Sequence, residues 1–310
     1  MRNITNFSLV SFFSLPLFCI YIIFLSGCNR YQKPDQGTTY FQCIPTTSLS
    51  RSTGNYLALE IEDESIFAEL DLGFDGAVSV PTEFAERIEN KEFQRERTMC
   101  GIRGIKTHPQ EFDIPKIWIN GISITGSIPL LVENHDDSSH IFREGEKPKI
   151  PKEGLVGWWV FQKKCLFLNF AHHEVIVCND LQTVQDRKQT FQEYISVPFS
   201  LEKGVIEFRI SLNGKPHQCM LDNGASWNIL NHPLENRSLE EVAYLPENST
   251  VLNLEIGSYP FGEQEIRILP LKFPFHIDMI LGMTFLQNHQ VLIDFPNQML
   301  YFATQKTSPN

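Results

Sequence analysis

Cys219-Met220-Leu221-Asp222-Asn223-Gly224-Ala225-Ser226 decides the fold: an apolar strand end, a carboxylate, and a glycine two residues later. The first half carries its counterpart, Phe67-Ala68-Glu69-Leu70-Asp71-Leu72-Gly73. Each has an apolar-apolar-Gly stretch downstream, Leu155-Val156-Gly157-Trp158 for the first and Ile280-Leu281-Gly282-Met283 for the second. The offset between copies shrinks in order: 151 for Asp71 and Asp222, about 136 for the turns Asn120-Gly121 and Ile256-Gly257, 125 for Gly157 and Gly282. Leu155 to Val177 then runs against Ile280 to Phe302 without a gap, with Leu168-Asn169-Phe170 opposite Ile293-Asp294-Phe295. A unit is written twice in one chain, and its second copy has the shorter loops.

From Tyr56 onward, short runs rich in Ile, Val, Leu and Phe alternate with Gly, Pro, Asn and Asp turns, which is the punctuation of strands. Helical pattern is confined to two short candidates, Thr82 to Lys91 and Leu234 to Val242. The expected class is all-β with a few short helices, in two pseudo-symmetric β lobes. The expected divisions are a leader over 1–27, a tether over 28–54, a first lobe over 55–179, a linker over 180–194, a second lobe over 195–303 and a tail over 304–310.

Residues Phe7 to Leu25 are almost wholly apolar behind a single charge, Arg2, and Leu25-Ser26-Gly27-Cys28 closes the run. That pattern reads as a secretory signal. The closing tetrad resembles the bacterial lipobox, which implies cleavage before Cys28 and lipid on its sulfur. An uncleaved anchor is the alternative, since about 17 to 25 apolar residues can span a bilayer. Both readings put the folded part outside the cytoplasm and held to a membrane, and the lipobox resemblance implies that this is a bacterial cell envelope. The formal charge is -11, which argues against nucleic acid as a partner.

Of the seven cysteines, five remain after the leader and Cys28 are set aside. Cys165 and Cys178 flank one predicted hairpin and could bridge in an oxidising compartment. No Cys-X-X-Cys occurs, and His172-His173-Glu174 lacks helical ligand spacing, so no metal site is expected. No cofactor is expected either.

Asp71 and Asp222 are the candidate catalytic residues. Glycine after each aspartate lets the backbone approach its twin and turns amides toward the carboxylate. Two carboxylates about 3 Å apart, at an effective dielectric near 20, repel by roughly 5 kcal/mol. Such a pair holds one proton between its members. The charged member takes a proton from a water held between them, and the neutral one donates to a scissile carbonyl oxygen.

Asp222-Asn223-Gly224-Ala225-Ser226-Trp227-Asn228-Ile229-Leu230, with Ile280-Leu281-Gly282-Met283-Thr284-Phe285-Leu286 and Val291-Leu292-Ile293-Asp294-Phe295, resembles the retropepsin-like aspartic proteases. The second copy carries the likeness well and the first loosely, over about residues 55 to 303. The resemblance implies two aspartic-protease-like lobes in one chain, as in pepsin, meeting around the dyad. It implies supporting roles for Gly73, Asn223, Gly224, Ala225 and Ser226 in the turns, and for Gly157 and Gly282 in the bracing strands. It implies a flap at Gly101, Ile102, Arg103 and Gly104, where an ordinary hairpin turn is the alternative. The implied activity is hydrolysis of peptides or of unfolded or envelope proteins by a lipid-anchored endopeptidase.

Where the family has threonine or serine after the aspartate, this chain has Leu72 and Asn223. Asparagine can still donate across the lobe interface and leucine cannot, so the reciprocal grip is expected to fail on one side. Asp75, if it faced the dyad, would add a third negative charge. These departures motivate a second reading, a catalytically inactive binder of peptides or proteins on the same fold. Asp294 is read as structural, Asp278 as solvated at a strand entry, and Trp158 and Trp159 as lobe-interface packing. Ser226 lacks a Gly-X-Ser-X-Gly elbow and is not read as a nucleophile.

Overall fold

The computed structural model describes residues 38–42, 44–45, 55–100, 106–133, 154–182, 194–232 and 248–304. The leader, Cys28, the expected flap at Gly101, Ile102, Arg103 and Gly104, and the helix candidate at Leu234 to Val242 lie outside them. No helix among the described residues is long and apolar enough to cross a membrane.

The chain enters through β1 (Thr38–Gln42) and β2 (Ile44–Pro45). The first copy then builds β3 (Asn55–Ile61), β4 (Glu64–Leu70), β5 (Val78–Pro81), β6 (Glu92–Glu96), β7 (Met99–Cys100), β8 (Lys106–Thr107), β9 (Gln110–Ile119), β10 (Ile122–Glu133) and β11 (Gly154–Val156). After it come β12 (Cys165–Asn169), β13 (Glu174–Cys178) and β14 (Tyr194–Pro198). The second copy supplies β15 (Glu207–Leu212), β16 (Lys215–Leu221), β17 (Ile229–Asn231), β18 (Ser249–Ile256), β19 (Tyr259–Leu269), β20 (Met279–Leu281), β21 (Val291–Asp294) and β22 (Met299–Ala303). The expected all-β class holds. Among the described residues two four-residue α-helices, α1 (Thr82–Ala85) and α2 (Met283–Leu286), interrupt the strands.

The two copies make the same ring. In the first, β3-β4-β11-β5-β10-β9 run in hydrogen-bonded order, and β9 returns to β3. In the second, β15-β16-β20-β17-β19-β18 form a closed barrel in the corresponding order. Strand β4 pairs in parallel with β11, Ala68 opposite Gly154, as β16 pairs with β20, Cys219 opposite Met279. Those are the partners that offsets of 151 and 125 require.

Asn120-Gly121 and Asn213-Gly214 close two of the hairpins, both residues of each pair at positive φ. Such turns match the right-handed twist of the flanking strands. The turn expected at Ile256-Gly257 falls one residue later, at Gly257-Ser258 (φ 56° and 67°).

A third sheet, ordered β1-β13-β12-β21-β22-β14, bridges the copies. Its alternation sends Leu166, Leu168, Val177, Val291, Ile293 and Phe302 into the core shared with both rings. Cys165, Phe167, Ile176, Cys178 and Leu292 face the other way and form a smaller apolar cluster.

Three expectations need correction. The stretch read as a tether, 28–54, contains β1 and β2; β1 pairs along its length with β13, so backbone pairing orders a segment that has no apolar period of its own. The helix expected over Thr82 to Lys91 stops at Ala85, because the Glu62 carboxylate takes the amides of Glu89 and Asn90 at 2.9 and 2.7 Å and holds a turn there. Cys165 and Cys178 stand directly opposite on β12 and β13, yet they carry separate thiols rather than a disulfide.

Candidate active site

Each dyad aspartate leaves an apolar strand and enters a turn braced from behind. The Asp71 amide donates to Val156 O at 3.0 Å, and the Asp222 amide to Leu281 O at 3.1 Å. Gly157 and Gly282 follow those carbonyls. A Cβ on Gly157 would stand 2.2 Å from Gly76 O and 2.7 Å from Phe74 O, and one on Gly282 would stand 2.2 Å from Trp227 O and 2.6 Å from Ala225 O. Nothing larger than hydrogen fits either brace. The contacted residues again differ by 151, so the two braces are one structure built twice.

Within the turns, Gly73 N donates to Asp71 Oδ1 at 2.8 Å, and Gly224 N donates to Asp222 Oδ1 at 2.8 Å. Ala225 N adds a second donor to Asp222 Oδ1 at 3.2 Å, and Ala225 O accepts from Met283 N. Ser226 is exposed, and its carbonyl accepts from Thr284 Oγ1. Asn228, buried, accepts from Gly282 N at 3.1 Å and fastens the second brace. Sequence reading passed over Asn228, whose position just after Trp227 carries no signal of its own.

The structure brings the two carboxyls together. Asp71 and Asp222 share a hydrogen bond, and the Asp222 pKa is raised well above the ordinary carboxylate range. Burial is the largest cause, and the negative charge of Asp71 is the next. The Gly224 and Ala225 amides oppose the rise without cancelling it. Burial and the neighbouring charge thus disfavour ionising both carboxyls at once, and the titration belongs to the pair.

The grip between the turns is one-sided, as the substitutions implied, but the single side is complete. Asn223 Oδ1 accepts from Leu72 N at 2.8 Å, and Asn223 Nδ2 donates to Leu70 O at 2.5 Å. One carboxamide thus spans the copies with both ends used, which also fixes its orientation. Leu72 is fully buried and packs into the core.

Asp75 does not face the dyad. Its Oδ2 accepts from Arg97 Nη2 at 2.8 Å, and it is not among the causes of the Asp222 shift. The Phe74 ring lies against Gly76 and Gly157. Asp294 is structural: buried, it accepts from Asn297 N and Nδ2. Asp278 is a strand-entry brace that accepts from Gln218 N at 2.8 Å and meets His276 Nε2 at 2.9 Å. Trp158 packs at the junction of the copies, stacking on Phe295 and donating from Nε1 to Gly204 O at 2.8 Å.

No group of three or more metal-ligating side chains occurs among the described residues. A cavity of about 250 Å³ beside Glu62, Asn90, Lys116 and Trp118 is lined by none of the site residues.

No protein-family description matches the chain, and no curated protein matches it. Its fold is similar to that of a solved structure titled "Crystal structure of Basic 7S globulin from soybean". The TM-score is 0.55 at 9% identity, over 87% of this chain and 95% of that one. That likeness concerns the fold alone.

Proposed function

We propose that the chain is an aspartic endopeptidase that hydrolyses peptide bonds with a water activated between Asp71 and Asp222. The observation that carries this reading is the hydrogen bond between two carboxyls on matching braced turns, one of them pushed toward its neutral form. A neutral carboxyl beside a charged one provides an acid and a base at one point, which hydrolysis of an amide requires. The expected substrates are peptides and unfolded or envelope proteins. Lipid on Cys28 would hold the enzyme to the bacterial cell envelope, and loss of fatty-acid labelling in Cys28→Ala tests that part.

The purified full chain should cleave an unfolded protein between about pH 4 and 6. Asp71→Asn and Asp222→Asn should each abolish cleavage. Equal turnover by Asp222→Asn would refute the dyad mechanism.

One observation favours a second reading, a catalytically inactive binder: Leu72 leaves the first turn without a polar grip of its own. That reading expects no cleavage at any pH while peptides still bind, with binding competed by other peptides.

A further inference from the structure

Arg97 stands where three pieces of chain meet. It follows β6, and its amide donates to Pro109 O at 3.0 Å, closing the base of the β7–β8 hairpin. Its Nη2 donates to Asp75 Oδ2 at 2.8 Å and lies 3.4 Å from Asp75 O. Asp75 sits four residues beyond Asp71, on the turn that carries the dyad's first carboxyl. A Cβ on Gly204, in the second copy, would lie 3.0 Å from Asp75 Cβ. On its other side Arg97 Nη1 is 3.8 Å from Glu111, a carboxylate buried on β9 and also paired with Arg95 at 3.3 Å. At the other end of the stem, Cys100 Sγ lies 4.0 Å from Lys272 O in the second copy.

The stem prolongs the β6–β9 ladder past its last pair, Glu96 with Gln110, and adds little pairing of its own. Strands β7 and β8 make two residue pairs, Met99 with Thr107 and Cys100 with Lys106. Two-stranded ribbons are marginal in water even at greater length. The guanidinium of Arg97 reaches Asp75 and Glu111 at once, a planar fork that lysine cannot copy in full. The Arg97–Asp75 contact is partly buried, 25% and 36% exposed, and charge-assisted.

We propose that the Asp75–Arg97 pair is a positioning device: it locks the β7–β8 stem to the turn that carries Asp71, and so holds a substrate chain in register with the dyad. The substrate clause rests on the endopeptidase reading; the lock itself does not. Asp75 then has a purpose away from the dyad's own charge.

The test uses the full chain and its Asp75→Asn, Arg97→Gln and Arg97→Lys variants, measured by hydrogen exchange and by cleavage of an unfolded protein. In Asp75→Asn and Arg97→Gln, the amides of Met99, Cys100, Lys106 and Thr107 should exchange about tenfold faster, with those of β12 and β21 unchanged. KM should rise by about tenfold with kcat within about twofold, and Arg97→Lys should recover part of both effects. Unchanged stem exchange overturns the lock whatever the activity. Faster stem exchange with unchanged KM overturns the substrate role. If the unmodified chain cleaves nothing, the endopeptidase reading fails, and the exchange measurement alone still decides the lock.

Discussion

Gly73 lies against the Asp222 carboxyl so closely that a Cβ on it would stand 2.5 Å from Asp222 Cγ. Gly224 meets Asp71 in the same way, at 2.7 Å from Oδ1. Each turn's glycine is thus the space into which the other turn's acid fits. Gly73→Ala should lower stability by about 1 to 3 kcal/mol through overpacking, read from denaturant unfolding. Cleavage should fall about a hundredfold, because the dyad is forced apart. A variant matching the parent in both would mean that the turns have slack.

The raised Asp222 pKa also makes a claim about stability. Between its unfolded value near 3.8 and its higher folded value, the folded chain binds more protons than the unfolded one, so stability falls as pH rises through that window. Asp222→Asn removes the ionisation yet keeps an oxygen for the Gly224 and Ala225 amides. The variant's Tm advantage over the parent should be absent near pH 3 and grow toward neutrality. Thermal melts across that range check it; a constant difference contradicts it.

Asn223 should be costly to lose because both ends of its amide are committed. Asn223→Ala strands the Leu72 amide and the Leu70 carbonyl in a buried junction, at about 1 to 3 kcal/mol for each group. Asn223→Asp keeps the acceptor but, when ionised, has no proton for Leu70 O. It also sets a third negative charge beside the dyad. Denaturant unfolding should therefore find Asn223→Asp less destabilised at about pH 4 than at pH 7.

Burial, with the charges of Asp294 and Cys178 behind it, pushes the Cys165 thiol up to about 12. Burial pushes Cys219 up as well. At pH 8 roughly one Cys165 in ten thousand is a thiolate. Iodoacetamide followed by mass spectrometry should find Cys100, which is half-buried, labelled ahead of the three other cysteines among the described residues. Cys165, Cys178 and Cys219 should follow only at the rate of unfolding.

The dyad and its braces were legible because their signals are local: a strand end, a carboxylate and a glycine, then two apolar residues and a glycine. That the two halves would share one architecture followed from the repeat, since identical anchors recur in identical order; the strand order within each ring comes from the structure. Strand β1 was not legible, because what orders it is β13, more than a hundred residues away. The sequence leaves Asp75 free to stand as a third charge at the dyad, since nothing in its own neighbourhood announces Arg97. Asn223 was read as a donor only. Its second bond, from the Leu72 amide, depends on how closely the two turns approach, which no window of sequence reports.

The bridging sheet joins the copies through one ladder among the described strands, β12 against β21, with each outer strand kept by its own half. Two identical subunits could meet in the same way, but symmetry would then force position 72 and position 223 to be the same residue. Leucine in both would leave no polar clasp, and asparagine in both would set a carboxamide where Leu72 now packs in the apolar core. Fusion of the halves into a single polypeptide releases that constraint. One half has specialised in apolar packing and the other in the clasp, a division of labour open only to halves that are inherited together and mutate apart.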